Sequence, residues 1–408
     1  MTDDLAIVGG GPAGLAMAIH AASRGLSAVV LEASPTLPDK ACGEGLMPPG
    51  VVELEKLGVR SLLAPADASP FVGIRFVQED GSSVEGRFAR GNGLGVRRTA
   101  LVAALATRAS ALGVRIELGA VVQATRPVPG GVRIDVEGRA LEARMVVAAD
   151  GLGSPLRRAA GLEGTPAHGR FALRRHLRLA PWTGFVENHL VAGAEAYVTP
   201  TGADRVNVCF QWNPRTLPGP HSYEAFLDRF PLLRARVRGA DADSTVRGIG
   251  PLVRTSTGRV ADRLALLGDA AGFIDGISGE GLTLAFRCAF ALAEILPGAL
   301  ARGATARALA PYERTFRREY GRYAFLTRAL LAIAARPRLR RALVGGLVRC
   351  PTLYQSLLRR AVAAAGESHG QRRTLREVRE SPVAPSPRRL ADERRVREVR
   401  RDRARHVG

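Results

Sequence analysis

Leu5-Ala6-Ile7-Val8-Gly9-Gly10-Gly11-Pro12-Ala13-Gly14-Leu15 decides the fold of this chain. A short apolar run stops at a glycine cluster, and the residues from Ala13 to Arg24 then carry apolar side chains at helical spacing. A second apolar run, Ala28 to Leu31, completes a strand–helix–strand unit that ends on Glu32, followed by Ala33. Each glycine has a distinct task in such a loop. Gly9 permits the tight turn, Gly11 lets the backbone approach a pyrophosphate, and Gly14 lets the helix pack on the strand. Pro12 and Ala13 open the helix, whose N-terminal NH groups face the anion. Glu32 stands where a carboxylate accepts hydrogen bonds from a ribose.

Two later segments repeat the idea of a strand ending in a glycine and an acid. Val146-Val147-Ala148-Ala149-Asp150-Gly151 is followed by Ser154 and Pro155, a helix cap and a first helical residue. Taken alone, Asp150 reads equally as an ordinary turn residue. Leu264-Ala265-Leu266-Leu267-Gly268-Asp269 precedes Gly279-Glu280-Gly281-Leu282 and a long apolar helix over 280 to 296. Asp269 suits hydroxyl groups of a ligand, and the glycines bring NH groups against a group that gains negative charge.

Between 168 and 257 the period changes to two, as in Phe171, Leu173, Leu177 and Leu179, and in Val206, Val208, Phe210 and Trp212. That stretch is expected to form a mostly antiparallel sheet. Further strands are expected around 114–118, 121–125, 132–136 and 145–149, with a helix over 99–112. The formal charge is +21, but 25 of the basic and only 8 of the acidic residues fall in 314–408. Two lysines, Lys40 and Lys56, stand among 59 basic residues, an arginine bias that GC-rich coding alone produces. Cys42, Cys209, Cys288 and Cys350 are far apart and match no metal-ligand spacing, so no metal is expected. With no leader-like segment before Leu5, a reduced cytosolic protein is the simpler expectation.

Order and spacing of these motifs resemble the FAD-dependent superfamily of aromatic-ring hydroxylases and geranylgeranyl reductases over about residues 4 to 325. Cys42-Gly43-Glu44-Gly45-Leu46, Gly279-Glu280-Gly281 and Tyr312-Glu313 with the arginines after it are similar to the reductase group, and Gly272 stands where ring hydroxylases usually have His. Gly276 departs from the usual Pro before the Gly-Glu-Gly turn. The resemblance implies an α/β (α+β) fold, a Rossmann-like FAD domain interrupted by an antiparallel substrate sheet, with C-terminal helices. On that basis the chain divides into FAD-binding parts 1–70, 96–167 and 258–310, substrate-sheet parts 71–95 and 168–257, amphipathic helices 311–366 and a disordered basic tail 367–408. It also implies FAD contacts from Gly9, Gly11, Pro12, Ala13, Gly14, Glu32, Ala33, Cys42, Gly43, Arg98, Val122, Asp150, Gly151, Gly268, Asp269, Gly279, Glu280, Gly281 and Leu282, with Arg97 an alternative to Arg98. NAD(P)H is the implied reductant. No Trp-x-Trp motif and no lysine beyond Lys56 occur, which speaks against a halogenase.

For the chemistry, Cys42 is the expected residue beside the reacting ring, and a small buried hydrophobe is the bland alternative. Arg174, His176, Asn207 and Gln211 alternate with apolar neighbours and are expected on a solvated sheet face. NAD(P)H-driven hydroxylation of a lipophilic aromatic, quinone or polyketide-type molecule is the preferred expectation, with reduction of an isoprenoid double bond as the alternative. A binding protein for a lipidated partner on a related fold is the reading from another class. Residues 314–365 mix apolar stretches with arginines, as helices on an anionic membrane surface do, which would place the protein at the inner face of the membrane. A solvated Arg face is the alternative there, and nucleic acid finds no aromatic-basic module.

Overall fold

The computed structural model describes residues 2–165 and 169–366. Its chain divides into two compact units, Met1–Val362 and Ala363–Gly408. Of the second unit only residues 363–366, the end of a helix, are described, so the expectation of a disordered tail lies outside the described residues.

The first strand, Asp3–Val8, sits in the middle of a parallel sheet between Ala28–Glu32 and Arg139–Ala148. Leu264–Leu266 extends the sheet beyond Arg139–Ala148, and Arg115–Leu118 extends it beyond Ala28–Glu32. These central strands are buried on both faces, which is why they read as continuous apolar runs. The strand expected over 145–149 starts earlier, at Arg139, because its polar first half pairs with Gly131–Val136, the inner strand of a hairpin with Val122–Val128. Helices Pro12–Ala22, Arg98–Ala111 and Gly281–Ala301 pack around this sheet in one apolar core. Gly281–Ala301 is apolar and long enough to cross a bilayer, yet Phe286, Ala289, Leu292, Ala293 and Leu296 are fully buried in that core.

A second sheet runs in the order Asp241–Ala242, Phe171–Arg178, Arg205–Trp212, Ala194–Pro200, Phe185–Val191, Gly73–Gln78 and Ser83–Arg87. Its pairs are antiparallel apart from Phe185–Val191 with Gly73–Gln78. The apolar alternation noted in the sequence faces outward onto helices Tyr223–Arg229 and Pro231–Arg236. There Val206, Val208, Phe210 and Trp212 pack with Tyr223, Phe226, Phe230 and Leu233. The other face, carrying Arg174, His176, Asn207 and Gln211, is closed as well. Arg174, His176 and Asn207 are fully buried and Gln211 nearly so, against the expectation of a solvated face. Alternation reports two unlike environments and cannot say that the polar one is water.

Phe210 is fully buried and contacts the rings of Tyr223, Phe226 and Phe230 at centroid separations of 5.2–5.5 Å. Truncation to alanine should cost about 3–5 kcal/mol. Chemical denaturation of Phe210→Ala should report that loss, while the absorbance of bound flavin stays as in the wild type.

Candidate cofactor and substrate site

The strand ends meet because two positions lack a side chain. At Gly9 (φ +110°) a Cβ would overlap the Ala149 carbonyl, and at Gly14 it would overlap the Gly9 carbonyl. Hydrogen bonds knit the ends together in sequence: Gly9 N to Leu31 O, Ala149 N to Val8 O and Leu267 N to Ala148 O, each 2.8 Å. Gly11 has open space where a Cβ would stand, and Ala13 lies against Gly268. The first helix therefore begins beside the third motif.

Glu32 is engaged with its own surroundings, accepting Gly10 N–H (2.6 Å) and Ser34 N–H (2.9 Å). Gly119 N donates to Ser34 O and Ala120 N to Glu32 O, so exposed Ala33 and part-buried Val122 flank the same corner. Ser154 caps Pro155–Ala159 as expected, accepting Arg157 N–H at 2.9 Å. Asp150 Oδ2 accepts Leu156 N–H at 3.2 Å, while its Oδ1 is buried with no partner. Burial pushes the Asp150 carboxyl up. It does the same to Asp269, against the pull of Arg98 and Lys40.

Arg157, two residues beyond Pro155 of the second motif, has a role that the sequence did not show. It is fully buried, with Nε on Glu163 (2.8 Å), Nη1 on Ala270 O (3.0 Å) and Nη2 on Leu152 O (2.8 Å). One guanidinium thus locks the Asp-Gly end to the Gly-Asp end.

Arg97 and Arg98 separate cleanly. Arg97 pairs with Asp243 at 3.0 Å, whereas Arg98 lies near Cys42 and Asp269 with its Nε buried and unpartnered. Glu44, at φ +60°, spans the layers. Its Oε1 accepts the N–H of Arg98, first residue of Arg98–Ala111, at 2.8 Å, a favourable place for a carboxylate at a helix start. Its Oε2 meets His176 Nε2 at 2.6 Å, both groups buried. Asn207 Nδ2 donates to the Cys42 carbonyl at 2.8 Å, and Arg174 pairs with Asp39. The polar sheet face is therefore a roof fastened to segment 39–44. Cys42 is half-buried, and burial pushes its thiol up, so it stays protonated at neutral pH. Around Gly43 there is open space.

The third motif continues into a loop held by Ala306–Ala334, which the sequence did not single out for this task. Tyr323 Oη accepts the N–H groups of Ile274 (3.1 Å) and Asp275 (3.0 Å) and donates to Asp275 O (2.8 Å), while Thr327 bonds Ser278. Gly276, at the position where proline was expected, faces the Gln211 amide, whose Nε2 a Cβ would meet at 2.6 Å, so a proline there would displace that side chain. Arg170 pairs with Glu195 (3.1 Å) and Asp275 (3.7 Å), and Tyr197 donates to Glu195 at 2.5 Å. Burial pushes Asp275 up to about 6 in spite of Arg170, and Glu280 up to about 7 in spite of Arg287. Glu280 caps the backbone of Gly281–Ala301, Gly279 faces Met47, and Leu282 packs partly into the first core.

An FAD fits these residues on their own terms: orphaned Asp150 Oδ1 and Arg98 Nε lie at the convergence, and the cradle at Gly11 and Gly43 has room that a side chain would fill. Fold and site define a nucleotide-binding redox enzyme. Residues 2–322 match the family described as FAD binding domain, and the chain belongs to it. It is 29% identical over 343 residues to digeranylgeranylglycerophospholipid reductase 2 of Methanothermobacter thermautotrophicus, covering 79% of this chain and 85% of that protein. It is also 29% identical over 330 residues to ubiquinone hydroxylase UbiL of Rhodospirillum rubrum, covering 72% of each. Halogenase PltM in complex with phloroglucinol and FAD shares the fold, with a TM-score of 0.74 over 89% of this chain and 85% of its own, at 18% identity. The protein is an FAD-dependent oxidoreductase.

Two outcomes test the site. Arg157→Met leaves the Ala270 and Leu152 carbonyls unpartnered and should release FAD on gel filtration, whereas Ser23→Ala, far from the cradle, should retain it. Glu280 gives the folded state a proton preference between the ordinary carboxylate range and about 7. Stability from this group is full below about pH 4.5 and is lost as pH rises through about 7, roughly 3 kcal/mol at about 1.4 kcal/mol per unit. Thermal melts of Glu280→Gln should therefore equal the wild type at acidic pH and exceed it at pH above 7.

Proposed function

We propose that the protein reduces a carbon–carbon double bond in the isoprenoid chain of a lipophilic molecule, with NAD(P)H as the reductant. The observation that carries this reading is the division of the roof. Paired residues share a face, so Arg174, His176, Asn207, Cys209, Gln211, Thr199, Tyr197 and Glu195 stand on the same side as Val186, Leu190, Ile74, Phe76 and Val84. One half of that face is polar and fastened to segment 39–44; the other half is mostly apolar, with Asn188 and Gln78 as its buried polar members. A molecule with a polar head and an apolar chain would meet the polar half with its head and run its chain toward the edge of the apolar half, which Leu347, Tyr354 and Leu358 cover, and the similar archaeal reductase carries in its name a substrate of that build.

Bound FAD would supply two-electron transfer at its ring. The chain's own residues do the rest. Asp150, Asp269 and Arg98 would hold the cofactor, Glu44 and His176 fix the Cys42–Glu44 segment beneath the roof, and Asn207 sets the Cys42 carbonyl. Cys42, kept neutral by burial, holds at Sγ the proton that saturating a double bond requires. The apolar half excludes water.

Hydroxylation of a lipophilic ring is the second reading. It is favoured by the buried Arg170–Glu195–Tyr197–Asp275 cluster, which suits an oxygen-bearing ring, and by the similarity to the ubiquinone hydroxylase. Burial, with Glu195 beside it, pushes the Tyr197 phenol well up, so it stays a hydrogen-bond donor.

Mass analysis of products from NAD(P)H, air and geranylgeranyl-bearing lipids separates the two. Gain of two hydrogens is the expected result; gain of one oxygen, with matching oxygen uptake, would establish the second reading instead. Cys42→Ala should lower double-bond reduction at least about tenfold while NAD(P)H still bleaches the flavin at the wild-type rate.

A further inference from the structure

Residues 336–362 contain seven arginines and no aspartate or glutamate. They form Pro337–Arg349 and the part of Pro351–Gly366 up to Val362. Both helices bury one face on the apolar half of the roof. Val344, Leu347 and Tyr354 pack on Phe76, Val84 and Leu190, while Leu358 and Val362 pack with Ile74, Val186, Met47, Phe71 and Phe88. A side chain at Gly86 would strike Tyr354 and Leu358. Polar hooks hold the pair in place: Arg340 donates to Val191 O at 2.7 Å and pairs with Glu79 at 2.9 Å, and Gln355 accepts Arg87 N–H at 2.8 Å.

The opposite face should carry the charges if water covered it. Instead Leu339, Leu343, Val348, Leu353 and Leu357 are 39–53% exposed. Arg338, Arg349, Arg359 and Arg360 border them and make no ion pair among the described residues. The upstream arginines differ. Arg317 pairs with Glu313, Arg318 with Glu319, and Tyr312, Phe316 and Tyr323 of the same helix are buried in the body. The surface is thus narrower than the 314–365 stretch that composition suggests.

We infer that residues 336–362 seat the protein on an anionic lipid bilayer. The five outward apolar residues enter the boundary between headgroups and acyl chains, and the arginines reach lipid phosphates along their own apolar stems. Charge selects the occupant: with Arg340 and Arg341 engaged by Glu79, the other five arginines of 336–362 have no acidic residue in that stretch to offset them and complement an anionic lipid surface. Since the inner face of the same helices walls the apolar half of the roof, a lipid-borne chain would enter the site beside them. That consequence rests on the proposed reading of the substrate; the docking itself does not.

Sedimentation of the FAD-loaded full chain with phosphatidylcholine vesicles, with and without about a quarter phosphatidylglycerol, tests this. The wild type should sediment with the anionic vesicles and stay in solution with the neutral ones. L353Q/L357Q changes two outward residues and should cut partition at least about tenfold, and R359Q/R360Q should weaken it and its salt dependence. Cys350, exposed between the two helices, carries an environment-sensitive dye, whose emission should shift to the blue and be quenched by spin-labelled lipid. Sedimentation of L353Q/L357Q equal to wild type would overturn the inference. So would a Cys350 dye that stays unquenched while the protein is vesicle-bound, because the charged residues beyond 366 would then be the anchor. Reduction of a short, water-soluble isoprenoid by L353Q/L357Q should equal that of the wild type, and its loss in both proteins would count against the proposed reaction alone.

Discussion

Two carbonyls stand where side chains would otherwise be. The Ala149 carbonyl occupies the place of a Gly9 Cβ, and the Gly9 carbonyl that of a Gly14 Cβ. Because both contacts are backbone, a methyl group at either position cannot be relieved by a rotamer change; the strands or the helix must separate. Gly9 also has φ +110°, a conformation that costs other residues free energy. This constraint brings three strand ends to one point, and Arg157 then closes the remaining gap by joining Leu152 and Ala270. The orphaned polar atoms of Asp150 and Arg98 and the attachment of the roof to segment 39–44 both refer back to that point.

From there, electrostatics takes over from sterics. Asp150, part-buried, and Asp269, at the open side of the cradle, are acids whose carboxyls desolvation by the surrounding protein pushes up, an arrangement that costs free energy unless a ligand's hydroxyls or a cation offset it. Arg98 supplies part of the offset and keeps an unpartnered Nε near the same point. Glu44 joins this layer to the sheet by bonding both the Arg98 backbone and His176. A shift of the roof is therefore transmitted to the Cys42–Glu44 segment by His176 on Glu44 and Asn207 on the Cys42 carbonyl, contacts made from the neighbouring strands Phe171–Arg178 and Arg205–Trp212.

Much of this was legible in the sequence, and for identifiable reasons. Gly9, Gly11, Gly14, Glu32, Asp150 and Asp269 follow strands that are continuous apolar runs, so their positions at strand ends could be read directly. Arg174, His176, Asn207 and Gln211 could not be placed, because a period of two assigns them to one face without saying what covers it. Tyr323 and Arg157 were hidden for another reason. Their partners are backbone groups of distant segments, Asp275 for the one and Ala270 for the other, and backbone partners leave no trace in residue type. The C-terminal helices were recognisable as amphipathic, but only packing separates the ion-paired arginines before 328 from those on the exposed apolar face.

The central claim is that three separated motifs and segment 39–44 converge on one FAD. Hydrogen–deuterium exchange on protein stripped of flavin and then reloaded with FAD tests it most directly. The account predicts protection arising together at residues 9–15, 32–44, 98–102, 150–157 and 268–282. Protection confined to 9–15 and 32–34, with the Asp150 and Asp269 segments unchanged, would contradict it.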